Sequence, residues 1–173
     1  HGWRDPRGPL RHSLADCPRL TGGAARPRLT AMEIVHATAI AIDGKGVLLR
    51  GPSGSGKSDL ALRLLEAGGV LVGDDRIALS VRDDFVVARV PETIAGKLEI
   101  RGLGIVHLPY QAETRVALVA DLVERGEVER LPQKRMVELV GQMIPAIQLN
   151  PFEESAVAKL KMAATLEPSK IET

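Results

Sequence analysis

The sequence predicts a strand-rich α/β domain organised around one phosphate-binding loop. A complete G-x-x-x-x-G-K-S run, Gly51-Pro52-Ser53-Gly54-Ser55-Gly56-Lys57-Ser58, is the first observation behind this. It follows the apolar run Val47-Leu48-Leu49 and precedes Leu60-Ala61-Leu62-Arg63-Leu64-Leu65, whose apolar residues fall at helical spacing. Secondly, short alternating or β-branched segments bounded by turn residues recur from residue 33 to residue 149. Thirdly, only two segments have a clear helical pattern, whereas a doubly wound sheet would alternate strands with crossover helices throughout.

The elements follow in order. Residues 33–42 alternate as a strand, and Asp43-Gly44 is a hairpin turn that returns the chain through residues 45–50. The glycine loop and a helix over residues 58–67 come next, and the helix stops at Gly68-Gly69, where glycine accepts a left-handed cap. Val70-Leu71-Val72 is a short buried strand leading into Gly73-Asp74-Asp75. Residues 77–81 and 85–90 form a second hairpin turning at Asp83-Asp84, and Pro91 interrupts. A strand over residues 98–101 precedes Gly102-Leu103-Gly104, and the apolar run 116–123 is a central strand. Residues 136–149 have an ambiguous pattern, in which Gly141 and Pro145 argue for bent strands. A last helix is expected with Asn150 as cap, Pro151 at its first position and Glu153 three residues after the cap. Val157, Leu160, Ala164 and Leu166 supply its apolar face.

Composition narrows the function classes. The 173 residues suit one domain plus a tail, and 45% apolar with 26% charged residues is ordinary for a soluble globular protein. No apolar run approaches the ~20 residues that cross a bilayer. Cys17 is the single cysteine, which rules out an intrachain disulfide and suits a reducing cytosol. Residues 1–31 form an extension rich in Arg, Pro and Gly, read as disordered, and the remaining segment, 32–173, is the folded domain. Six arginines (Arg4, Arg7, Arg11, Arg19, Arg26, Arg28) face only Asp5 and Asp16 there, yet four prolines obstruct the amphipathic helix of a targeting peptide. Met32 is read as the natural start. The net charge of +1 offers no broad basic footprint, and Trp3, Phe85, Tyr110 and Phe152 are too scattered to stack bases, so nucleic acid is not an expected partner.

The loop's chemistry is explicit. Its backbone N–H groups wrap a polyphosphate, Lys57 reaches the outer phosphates, and the Ser58 hydroxyl suits Mg²⁺. A ten-residue helix carries the chain about 15 Å from the loop at ~1.5 Å per residue. The strand after it returns about 13 Å at ~3.3 Å per residue. Asp74 and Asp75 are therefore expected beside Lys57 and Ser58, one acid serving Mg²⁺ and the other accepting the proton of an attacking hydroxyl. A bare polar turn is the bland alternative for an Asp-Asp pair, and Asp83-Asp84 is read as one.

Three blocks in this order, residues 51–58, Leu71-Val72-Gly73-Asp74-Asp75-Arg76 and Leu98-Glu99-Ile100-Arg101-Gly102-Leu103-Gly104-Ile105, resemble the catalytic domain of the bacterial HPr kinase/phosphorylase family. The resemblance covers roughly residues 33–166 and implies a fold related to phosphoenolpyruvate carboxykinase. It implies a cytoplasmic protein serine kinase that uses ATP and Mg²⁺ to phosphorylate HPr, the small phosphocarrier of the sugar phosphotransferase system. It also suggests a homo-oligomer, a hexamer whose assembly truncation could alter, while the lack of a long apolar run makes a membrane no expected partner. By position, Asp74 resembles the catalytic base and Asp75 an acid associated with the metal. Ser58 and Glu99 resemble the Mg²⁺ ligands, with Arg101 in the same block. His36 matches a family histidine near the active site, and Arg130 an arginine near the transferred phosphate. Read alone, His36 is a strand histidine with a packing role and Arg130 a surface cation. The chain departs from longer members in having no counterpart of their amino-terminal domain, which reads as truncation. Gln148-Leu149-Asn150-Pro151-Phe152 also stands where they carry a Pro-Gly-Arg-Asn-like loop. Kinase activity is the expectation, with the phosphate-dependent reverse step open. Two other readings remain: a small-molecule kinase on the same scaffold, and a nucleotide-sensing module, which the Asp pair and Glu99 argue against.

Overall fold

The strand expected over residues 33–42 is two strands that serve different parts of the sheet. In the computed structural model, which describes residues 32–166 and 170–171, the strands are β1 (Glu33–His36), β2 (Thr38–Ile42), β3 (Lys45–Arg50), β4 (Val70–Gly73), β5 (Arg76–Arg82), β6 (Phe85–Arg89), β7 (Lys97–Ile100), β8 (Gly104–His107), β9 (Glu113–Leu122), β10 (Arg135–Leu139) and β11 (Gln142–Leu149). Two α-helices, α1 (Lys57–Glu66) and α2 (Ala156–Thr165), accompany them. The expectations for residues 1–31 lie outside the described residues. β1 pairs with β5, whereas β2 pairs with β3 and β4. Ala37, at 0% exposure, is the pivot, and its small side chain leaves room for the change of partner.

The main sheet runs β1-β5-β6-β9-β3-β2-β4, with β11 beside β9 and β10 beside β11. β9 is the splice. Its first residues pair antiparallel with β6, and its later ones run parallel to both β3 and β11. β3 and β4 each lie antiparallel to β2, so they point the same way. α1 must therefore carry the chain back before β4 returns it. The phosphate loop at the end of β3 and Asp74 just past β4 thus share one end of the sheet, the carboxyl end where open α/β sheets hold ligands.

Alternation along the central strands builds two cores. Ile40, Ile42, Val47, Leu49, Leu118, Ala120 and Leu122 face the helices and meet Leu60, Leu64 and Leu160. Ala39, Ala41, Leu48, Val116 and Val119 face the other way, against Ile77, Leu79, Val86 and Ala88 of the curled outer strands. Period-two alternation with both faces apolar is what a fully buried strand requires.

The last helix differs from expectation: α2 starts at Ala156 with Ser155 at its cap position, not at Asn150. Asn150 is engaged elsewhere. Its Nδ2 donates to the Val123 carbonyl at 3.1 Å, and its Oδ1 accepts from the Phe152 amide at 3.0 Å. This Asx turn ties the chain to the end of β9 and postpones the helix.

Candidate active site

Residues 51–56 form the turn between β3 and α1, and the first N–H groups of α1 have no partner within the helix. Gly56 takes φ +91°, and its carbonyl accepts from the Leu60 amide at 2.9 Å. Lys57 is buried, with Nζ donating to the Gly51 and Pro52 carbonyls at 2.7 and 2.9 Å. Burial holds its pKa below the ordinary 10.5, an effect that the charges of Asp74 and Asp75 offset only in part. Ser55 Oγ is buried with no hydrogen-bond partner among the described residues. It lies against the Gly51 backbone, and the loop and first-turn amides are the groups that fit phosphate oxygens. The strand feeding the loop is anchored sideways: Arg50 Nε and a terminal guanidinium nitrogen both lie 2.8 Å from Asp121 Oδ1 on β9. Arg135 reaches Asp121 Oδ2 at 3.5 Å.

The two acids are held differently. Asp74 is half-buried, accepting from Thr38 Oγ1 at 2.6 Å on Oδ1 and from the Glu99 amide at 3.4 Å on Oδ2. Asp75 takes φ +68°, and the Arg76 amide donates to the Asp74 carbonyl at 2.9 Å. That is a γ-turn with left-handed backbone, which a non-glycine residue seldom adopts. It sends Asp75 to the side, 3.5 Å from His36 Nε2 and 3.8 Å from Arg76 Nε.

One cavity of about 540 Å³ collects these groups. Ser53, Gly54, Gly56, Lys57 and Ser58 line it from the loop, and Asp74 and Asp75 from beyond β4. His36 enters from β1, while Glu99 and Arg101 arrive on the β7–β8 hairpin. Gly51 and Pro52 take part through the carbonyls that hold Lys57. Arg130 stands exposed between β9 and β10 and is not among the lining side chains. A larger cavity of about 880 Å³, against β9 and β11, contains none of the loop residues, so the chemistry belongs to the smaller one.

Sequence reasoning missed two contributors. Thr38 is the one polar residue in the wholly buried β2, and that isolation was the available signal. Phe152, 66% exposed, also lines the cavity. A side chain placed on Gly56 would come within 3.0 Å of both Phe152 and Pro151. Arg63 of α1 donates to the Pro151 carbonyl, tying this pair of residues to the helix.

No three His, Cys, Asp or Glu side chains among the described residues cluster closely enough to hold a metal alone. The Ser58, Glu99 and Asp oxygens do suit a hard cation that completes its shell with phosphate oxygens and water, as Mg²⁺ does.

The sequence model of the HPr Serine kinase C-terminal domain family matches residues 27–167. An HPr kinase/phosphorylase of Burkholderia lata is 35% identical over 149 residues, 80% of this chain and 45% of that protein. One of Cupriavidus necator is 34% identical with the same coverage. The chain thus spans about half the length of the curated relatives it matches. The solved HPr(Ser) kinase/phosphatase of Coxiella burnetii superposes with a TM-score of 0.68 at 26% identity, over 76% of this chain and 93% of that one.

Proposed function

The chain belongs to the HPr Serine kinase C-terminal domain family, and from that premise we propose that it transfers the γ-phosphoryl group of ATP to a serine hydroxyl of an HPr-type phosphocarrier protein. The loop holds the phosphates. Lys57 exchanges the Gly51 and Pro52 carbonyls for the outer phosphate oxygens. Ser58 and Glu99 would hold Mg²⁺, which supplies charge neutralisation at the phosphates. Asp74 accepts the serine proton as its oxygen bonds to the γ-phosphorus and the bond to the leaving ADP oxygen breaks. Asp75, tethered between His36 and Arg76, would add negative charge to the site that holds the cation. Arg101 faces the transferred group from the hairpin. Arg130, outside the cavity, is assigned no step.

The observation that supports this reading best is the shared cavity. It sets an oriented carboxylate, Asp74, opposite the loop lysine and the helix N-terminus. The kinase direction is the proposal. The departure from the Pro-Gly-Arg-Asn-like loop at residues 148–152 keeps the reverse step outside it. A cytoplasmic setting goes with such a substrate, and no helix among the described residues is long and apolar enough to cross a membrane. Incubation with HPr, ATP and Mg²⁺, followed by mass mapping, should yield a single phosphoserine on HPr. No phosphate on HPr, with turnover of a small metabolite instead, refutes it.

A further inference from the structure

We infer that Thr38 is a positioning residue for phosphoryl transfer, acting through Asp74. The inference rests on the proposed role of Asp74 as proton acceptor. Thr38 has 0% exposure, does not line the cavity, and stands in a strand otherwise made of Ala and Ile. A hydroxyl placed there needs a partner, because an unpaired buried polar group is unfavourable. Its partner is Asp74 Oδ1 at 2.6 Å, a length typical of a hydrogen bond to a charged acceptor. An ionised carboxylate only accepts, so the hydroxyl proton must point from Thr38 to Asp74.

This bond makes the two carboxylate oxygens unequal. Oδ1 is occupied, and Oδ2 has only the long 3.4 Å contact from the Glu99 amide, which leaves Oδ2 to receive a substrate proton. The backbone cannot fix the side chain by itself, since the γ-turn at Asp75 constrains only the main chain. Thr38 pairs with Leu49 of β3, and the next residue, Ala39, pairs with both β3 and β4, so the sheet holds the Thr38 backbone in place. A near-isosteric valine would keep the volume and free the carboxylate to rotate.

The test compares parent, Thr38→Val and Thr38→Ser in steady-state transfer from ATP·Mg²⁺ to HPr, with calorimetric ATP affinity and crystal structures of all three. Thr38→Val should lose about 10- to 100-fold in kcat, the worth of a hydrogen bond to a charged group. KM for ATP and calorimetric affinity should stay within about twofold, because nucleotide contacts are untouched. Thr38→Ser should recover most of the rate. Thr38→Ala replaces the valine variant if that fails to fold. A hydroxyl-free variant with parental kcat overturns the inference, as does a serine variant as slow as the valine one. If the parent transfers nothing to HPr, the functional reading has failed and the structures decide the inference separately. Asp74 should keep its orientation in parent and Thr38→Ser and turn in Thr38→Val, and an unmoved Asp74 in Thr38→Val overturns it.

Discussion

Replacing Gly56 with alanine should damage the phosphate loop more than the same change at Gly54, and the difference follows from two separable terms. Both glycines have positive φ, +91° and +80°. An L-residue there carries a backbone strain of about 1–2 kcal/mol. At Gly54 nothing lies within 4 Å of the new methyl, so strain is the whole effect. At Gly56 the methyl would come within 3.0 Å of Pro151 Cγ and Phe152 Cζ, and overpacking of this kind adds about 1–3 kcal/mol. Pro151 is held through its carbonyl by Arg63, and the Phe152 amide is held by Asn150, so neither gives way freely. Gly56→Ala should therefore weaken ATP binding about fivefold or more beyond Gly54→Ala, since 1.4 kcal/mol is tenfold. Titration calorimetry with ATP·Mg²⁺ reads the difference, alongside urea midpoints. Adding Phe152→Ala to Gly56→Ala should recover part of the loss, whereas Phe152→Ala in the Gly54→Ala background should recover none. Equal effects at the two glycines, with no recovery, would refute the account of residues 151–152 as a clamp on the loop.

Asp121→Asn should lower stability by about 1–2 kcal/mol, a figure reduced because Arg50 is about a third exposed, and should weaken ATP binding through the loosened end of β3. Urea denaturation and calorimetry on the same sample check both effects. Glu113 gives a pH signature. The hydrogen bond from Arg82 holds its carboxyl below the ordinary 4.5, ahead of an opposing desolvation effect and the attraction of Arg82 and Arg89. A depressed folded-state pKa means the contribution is fully present above 4.5 and is lost as pH falls through the depressed value. The urea midpoint of Glu113→Gln should thus lie below that of the parent at neutral pH, and the gap should close on acidification. A constant gap would contradict it.

What the sequence revealed was mostly local chemistry. Loop, helix and Asp pair follow one another within 25 residues, so rises per residue were enough to bring Asp74 back beside Lys57. The common direction of β3 and β4 is the physical reason that estimate worked. The break at Ala37 was hidden, because alternation continues through it and only the choice of strand partners marks it. Asn150 misled for a similar reason. Its side chain suits a cap, but a contact with Val123, 27 residues away, decided its use. Thr38 was legible only as an oddity in an apolar strand, and its bond to Asp74 crosses 36 residues. Phe152 carries no motif, and its place in the cavity depends on where α2 begins.

The most direct test of the account is single-turnover transfer to HPr by Asp74→Asn, with ATP affinity measured on the same protein. An amide keeps the shape but is a far weaker proton acceptor, so transfer should fall by about 10²- to 10⁴-fold, the usual worth of a positioned general base. ATP affinity should change by no more than about threefold. Transfer at the parental rate would contradict the account, because it would leave the carboxylate facing the phosphate loop without a part in the chemistry.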